Sequence, residues 1–154
     1  MKSCEFAKEH ELYGELIITS RYWELFLAPS QRYLGTCVLK LKRDCPNLRD
    51  LNTEEWCEFT DLVKNIEEAI IDVFNPDLFN WSCFKNASFR KSNPKPQIHW
   101  HIHPRYENPV FFEGLKFEDP DFGYIPRPIT EKIPKNIQTK MLVILRERLA
   151  IDCE

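Results

Sequence analysis

Gln97-Ile98-His99-Trp100-His101-Ile102-His103-Pro104-Arg105 alternates polar and apolar residues and holds three of the chain's four histidines. A strand sends residues i, i+2 and i+4 to one face. Read as a strand, the stretch puts Gln97, His99, His101 and His103 on one side. Ile98, Trp100 and Ile102 take the other, a face suited to a core. The polar face then carries groups that exchange protons near neutral pH or attack as nucleophiles.

The sequence around this stretch is basic. Between Leu78 and Tyr106 there is no Asp or Glu, but there are Lys85, Arg90, Lys91, Lys95 and Arg105. Such a patch draws anions, phosphates above all. Asn80, Asn86, Ser88, Ser92 and Asn93 add neutral donors. The chain as a whole is acidic, with net charge −3 over 154 residues, which speaks against general nucleic-acid binding. With 43% hydrophobic and 29% charged residues, its composition is that of an ordinary globular protein, and the length suits a single domain over 1–154. No apolar run is long enough to span a membrane, and residues 1–6 lack a signal-peptide core. A cytoplasmic protein is expected, with its six scattered cysteines as reduced thiols.

Upstream, Glu15–Thr19, Arg21–Leu27 and Thr36–Lys42 read as three strands with short links, hence antiparallel. A helix follows. Asn52 or Thr53 caps it, and Glu55 stands at the capping-box offset from Asn52. Trp56, Phe59, Val63, Ile66, Ala69, Ile70 and Val73 form its apolar face, and Asn75-Pro76 ends it. Leu78–Phe84 is a fourth strand, residues 86–96 a polar loop, and the histidine stretch a fifth strand. Residues 106–128 lack periodicity and hold several prolines, which predicts an irregular arm that serves function or contact. A last helix is expected over Pro134–Ala150. The fold class is therefore α+β: an antiparallel sheet of about five strands, a long helix after the third, and a C-terminal helix.

Three readings of the histidines compete on residues alone. Alternate imidazoles could surround a metal ion, although no carboxylate or cysteine stands near them in sequence. They could be a structural cluster. Or one imidazole could attack phosphorus while its neighbours donate to the phosphoryl oxygens.

The stretch resembles the signature of the histidine triad superfamily of nucleotide hydrolases and transferases, His-φ-His-φ-His-φ-φ-Pro-Arg with φ apolar. It is most similar to a branch that follows the motif with Tyr, Pro-Val and Asp-Pro-x-Phe-Gly, here Tyr106, Pro109-Val110 and Asp119 to Gly123. Leu34-Gly35, Leu48–Leu51, Asn80-Trp81 and Asn86 resemble further family features. Aligned on Trp100 and Pro104-Arg105, the family's first histidine falls on Gln97, its catalytic middle one on His99 and its third on His101. His103 occupies a normally apolar place. The resemblance implies catalysis by His99 with His101, and substrate binding by Gln97, His103, Asn86, Arg90, Lys91, Lys95 and Arg105. It implies hydrolysis or nucleotidyl transfer at an α-phosphate through a nucleotidyl-histidine, with nucleotides or dinucleoside polyphosphates as partners. No cofactor is required; a divalent cation would come only with the substrate phosphates. No structural zinc is expected, because the Cys-x-x-Cys of zinc-bearing relatives is missing at Cys4. A homodimer is the usual family state. Thr36 and Gln97 stand where relatives carry imidazoles, so a catalytically weak nucleotide-binding or sensing protein is the alternative.

Overall fold

The computed structural model of the chain describes residues 13–127 and 132–150. Cys4, Pro128 and Cys153, on which parts of the sequence reading rest, lie outside them. Strands β1 (Glu15–Thr19), β2 (Trp23–Leu27) and β3 (Cys37–Leu41) are followed by helix α1 (Thr53–Phe74), strand β4 (Leu78–Ser82) and the histidine strand β5 (His99–Arg105). These five strands form one antiparallel sheet in the order β1-β2-β3-β5-β4. Helix α2 (Lys135–Ala150) closes the described chain and packs on α1 and β1. The α+β class and the placing of both helices are as the sequence predicts.

The order of strands sets the site. β5 enters between β3 and β4, so the histidines run across the middle of the sheet instead of along its edge. Ile98 and Ile102 are fully buried in the core, and the Trp100 ring meets Phe59 of α1 at 5.2 Å. Helix α1 thus covers one face and leaves the imidazoles on the other. It starts as its sequence demands. The Asn52 side chain accepts from Glu55 N, and the Glu55 carboxylate accepts from Asn52 N at 3.0 Å. It stops at Asn75, which adopts a left-handed conformation before Pro76. The buried stripe differs from the predicted one: Leu62 and Phe74 are inside, while Trp56 is 37% exposed and meets Phe59 edge-on. Spacing of three and four fits both sets, and only the tilt of the helix on the sheet chooses between them.

The arm at 106–128 is less irregular than its sequence. Val110–Phe112 (β6) and Leu115–Phe117 (β7) pair as a hairpin across Glu113-Gly114, both with positive φ. Three-residue strands are too short to show alternation. Phe112 packs against Phe74 at 5.3 Å and Phe117 is buried in the core, so the hairpin belongs to its own chain's core.

Gly35, just ahead of β3, has φ +87, and a Cβ there would lie 2.9 Å from the Phe74 ring and 3.4 Å from Pro104. Gly35→Ala is expected to lower stability by about 1–3 kcal/mol, through backbone strain and overpacking together. Urea unfolding checks this; an unchanged midpoint would contradict it.

Candidate active site

The imidazoles open into a cavity of about 780 Å³. His99, His101, His103 and Arg105 of β5 form its floor, together with Leu78, Asn80 and Ser82 of β4. The two sets interleave because Asn80 pairs with His103 and Ser82 with His101 across the strands. One wall is the short 3₁₀ turn Asn86–Arg90, which supplies Asn86, Ala87 and Arg90, with Phe84 ahead of it. The end of the arm, Gly123 to Pro126, lines it as well, with the Tyr124 carbonyl at Arg105.

The ring centroids of His99 and His101 are 5.0 Å apart, and those of His101 and His103 6.0 Å apart and nearly parallel. The His99 Nδ1–H donates to Gln97 O at 2.7 Å. A carbonyl oxygen can only accept, so the proton sits on Nδ1 and Nε2 is the basic nitrogen. Burial lowers the His99 pKa, opposed by the Gln97 carbonyl and helped by the Lys40 charge. Burial also pushes His101 down to about 3, with the neighbouring His99 and His103 adding to the shift. His103 falls to about 4 through burial and the Arg105 charge, against a weaker pull from Asp119. All three are neutral imidazoles at pH 7.

These shifts carry a stability prediction. The unfolded histidines take up protons near their ordinary value of 6.5, whereas the folded His103 and His101 refuse them until about 4 and about 3. Below pH 6.5 the unfolded chain therefore binds more protons, and stability falls with pH by up to about 1.4 kcal/mol per unit for each buried histidine. Urea unfolding at pH 7 and pH 5 is expected to give a lower midpoint at pH 5, and a smaller difference in the His101→Gln/His103→Gln variant. Equal midpoints at the two pH values in the wild type would be inconsistent with buried neutral imidazoles.

The remaining residues singled out by sequence divide. Asn86 and Arg90 line the cavity beside the histidines; Lys91 and Lys95 are exposed and do not line it. Gln97 is turned out of the cavity. Its Nε2 donates to Leu41 O at 2.9 Å and Arg43 O at 2.8 Å, and its Oε1 accepts from Cys45 N at 2.9 Å. Both amide protons are in use, so this side chain ties β5 to the loop after β3 and has no donor left for a phosphate. The corresponding expectation for Gln97 is corrected on that ground. Thr36 donates its hydroxyl to Tyr33 O and is buried.

Arg105 lines the cavity but is bound to the arm. Its side chain is 2% exposed, and it pairs at 2.7 Å with Asp119, whose side chain is fully buried. Nε and Nη2 take the two carboxylate oxygens, while Nη1 donates to Asn80 Oδ1 at 2.9 Å and Tyr124 O at 2.7 Å. The guanidinium also lies 4.9 Å from the centre of the Tyr33 ring. Tyr33 in turn donates its hydroxyl to Asp121 at 2.7 Å and accepts from Arg127 N. The anion role expected of Arg105 thus gives way to a buried latch. Its partner Asp119 stands too far along the chain for spacing to reveal the contact. Sequence reading also missed Leu78, Phe84 and Tyr124 to Pro126 as walls. The period of two over Leu78–Phe84 could have found Leu78 and Phe84, which share a face with Asn80 and Ser82, but nothing local marks Tyr124 to Pro126.

Among the described residues, no group of three or more His, Cys, Asp or Glu side chains is arranged to hold a metal ion. None of their helices is long and apolar enough to cross a membrane.

No family model and no curated protein matches the chain. Solved structures do. A histidine triad protein from Sinorhizobium meliloti 1021 superposes with a TM-score of 0.64 at 16% identity, over 93% of this chain and 96% of that one. A histidine triad protein from Marinobacter aquaeolei VT8 gives 0.63 at 18% identity, over 88% of each chain. The diadenosine triphosphate hydrolase of Plasmodium falciparum, solved in complex with cyclomarin A, gives 0.57 at 18% identity, over 88% of this chain and 76% of that one. With a five-stranded sheet in this order, imidazoles on its open face and a likeness that runs over most of its length, the chain has the fold of the histidine triad proteins.

Proposed function

We propose that the protein is a nucleotide hydrolase or nucleotidyl transferase in which His99 attacks an α-phosphorus. The observation that carries this reading is the hydrogen bond from His99 Nδ1–H to Gln97 O, because it directs the lone pair of a neutral imidazole onto Nε2 at the cavity floor. In the first step Nε2 forms a bond to phosphorus. The bond from phosphorus to the leaving group breaks, and that group takes the electron pair and a proton from solvent. In the second step water attacks phosphorus, the P–N bond breaks and its pair returns to Nε2. The water's proton is released to solvent, and His99 is neutral again.

His101, beside it and neutral, can donate to the phosphoryl oxygens as charge builds on them; Asn86 and Arg90 on the near wall can do the same. Burial favours the unprotonated nucleophile, so protonation of His99 does not limit the rate at neutral pH. Nucleoside phosphoramidates and dinucleoside polyphosphates are the substrate classes to try. The structural likeness to a diadenosine triphosphate hydrolase supports the second. Any divalent cation would arrive bound to the substrate phosphates.

A panel of both classes, incubated with the purified chain, tests the reading. Release of a nucleoside monophosphate from at least one is expected. Tight nucleotide binding with no turnover of any would favour a sensing protein instead.

A further inference from the structure

The hydrogen bond that orients His99 comes from a carbonyl outside the sheet. Residues 42–47, after β3, and Gln97 and Ile98, just ahead of β5, belong to no strand. Their backbone groups need partners other than a regular ladder. A trans peptide points its C=O and its N–H in opposite directions. Gln97 O therefore meets His99 Nδ1 only when the peptide between Gln97 and Ile98 is turned one way. Ile98 N donates to Cys45 O at 3.0 Å, and this bond turns it. Cys45 N in turn donates to the Gln97 side chain, at 2.9 Å from Oε1. A closed ring of bonds thus runs from the Gln97 amide through Cys45 and Ile98 back to the Gln97 carbonyl. Cys45 is 1% exposed, so water is a poor substitute for the amide there.

The other end of the amide grips the same loop. Nε2 donates to Leu41 O and Arg43 O, at 2.9 and 2.8 Å. Two donors and one acceptor on a single side chain match two carbonyls and one N–H, which no apolar residue could do. The loop is braced from its far side as well. The Arg43 guanidinium bonds both oxygens of Glu55, at 2.6 and 3.0 Å, and Asp50 O at 2.7 Å. The Glu55 side chain is 2% exposed and belongs to the capping box of α1. The loop is pinned to the start of the helix, and Gln97 is where it meets the histidine strand.

We propose that Gln97 is a positioning residue: its amide, by fixing Cys45 and with it the peptide between Gln97 and Ile98, holds the His99 proton on Nδ1 and leaves Nε2 to the cavity. The amide touches no substrate. It acts through the backbone on the tautomer and ring orientation of another side chain, so its loss slows the chemical step and leaves nucleotide affinity where it was. The effect on rate rests on His99 as the nucleophile; the effect on the tautomer does not.

The test uses the full chain with isotope-labelled histidine, free of ligand, at pH 7. Two-bond proton–nitrogen NMR correlations tell an Nδ1–H imidazole from an Nε2–H one, and His99→Gln identifies the His99 signals. The wild type is expected to show His99 as Nδ1–H alone. Gln97→Met keeps the length of the side chain and removes all three of its bonds. It should show both tautomers of His99, with kcat lowered about ten- to hundredfold and KM within about twofold of the wild type. Gln97→Ala is read in the same way, and decides if Gln97→Met does not fold. Gly35→Ala, which strains the fold at the Phe74 ring, should keep the Nδ1–H form, so that general loosening is not mistaken for lost positioning. An Nδ1–H form that survives in the Gln97 variants overturns the proposal, as does an equal loss of it in Gly35→Ala. A raised KM with unchanged kcat also overturns it, since the amide would then serve binding. If the wild type turns over no nucleotide while the tautomer still depends on Gln97, the positioning stands and the hydrolase reading falls.

Discussion

His99→Ala is expected to lower kcat/KM by about four orders of magnitude or more on any nucleotide the protein turns over, while leaving the fold intact. Removing the nucleophile of a covalent mechanism leaves only binding and electrostatic stabilisation, and effects of this size are usual. The imidazole is half-buried on the cavity side of the sheet, outside the core cluster, so its loss disturbs little of the core. His101→Ala should cost less, about two to three orders, because a hydrogen-bond donor to the transition state is lost and the bond-forming atom remains. The pair of variants also decides the register of the motif. If His101→Ala is dead and His99→Ala merely slow, the attacking nitrogen belongs to His101. Full activity in His99→Ala would remove the mechanism altogether. Steady-state kinetics, with circular dichroism to check folding, is sufficient.

Breaking the latch is expected to have the largest effect on stability. Asp119→Ala should cost about 3–5 kcal/mol, since it leaves the Arg105 guanidinium buried without its carboxylate. That is a large part of the roughly 5–15 kcal/mol by which domains are stable. Arg105→Ala leaves the complementary orphan, a fully buried carboxylate, and should cost as much. Arg105→Lys should rescue little, because one ammonium cannot take both carboxylate oxygens while reaching Asn80 and Tyr124. The double variant Arg105→Met/Asp119→Leu should be less damaging than the sum of the singles, because neither charge is left alone. Denaturant unfolding of the four variants measures this, and a cost below about 1 kcal/mol for Asp119→Ala would be inconsistent with a buried pair.

The fold was largely readable where local chemistry decides it. Alternation from Gln97 to His103 placed the imidazoles on one face and Ile98 and Ile102 in the core. The capping-box offset from Asn52 to Glu55 left the cap between Asn52 and Thr53, and the structure has it at Asn52. Sequence was weaker where a contact between distant residues decides the outcome. Period alone put Gln97 on the side of the histidines; three backbone groups of residues 41–45 draw its amide away from the cavity. Arg105 carries the charge of an anion binder, and only the fold brings Asp119 to it. Lys91 and Lys95 were grouped with Arg90 by charge, whereas the 3₁₀ turn brings Arg90 alone to the cavity wall. The hairpin at β6 and β7 was hidden by its brevity, and with it the course of the arm that lines the cavity.

The most direct test of His99 as nucleophile is to trap the intermediate. The protein is mixed with excess nucleoside phosphoramidate, quenched within the first turnover at alkaline pH, digested and mapped by mass spectrometry. The expected result is a nucleoside monophosphate attached to His99 and absent from His99→Ala. An adduct on His101, or active turnover with no adduct on any histidine, would contradict the assignment.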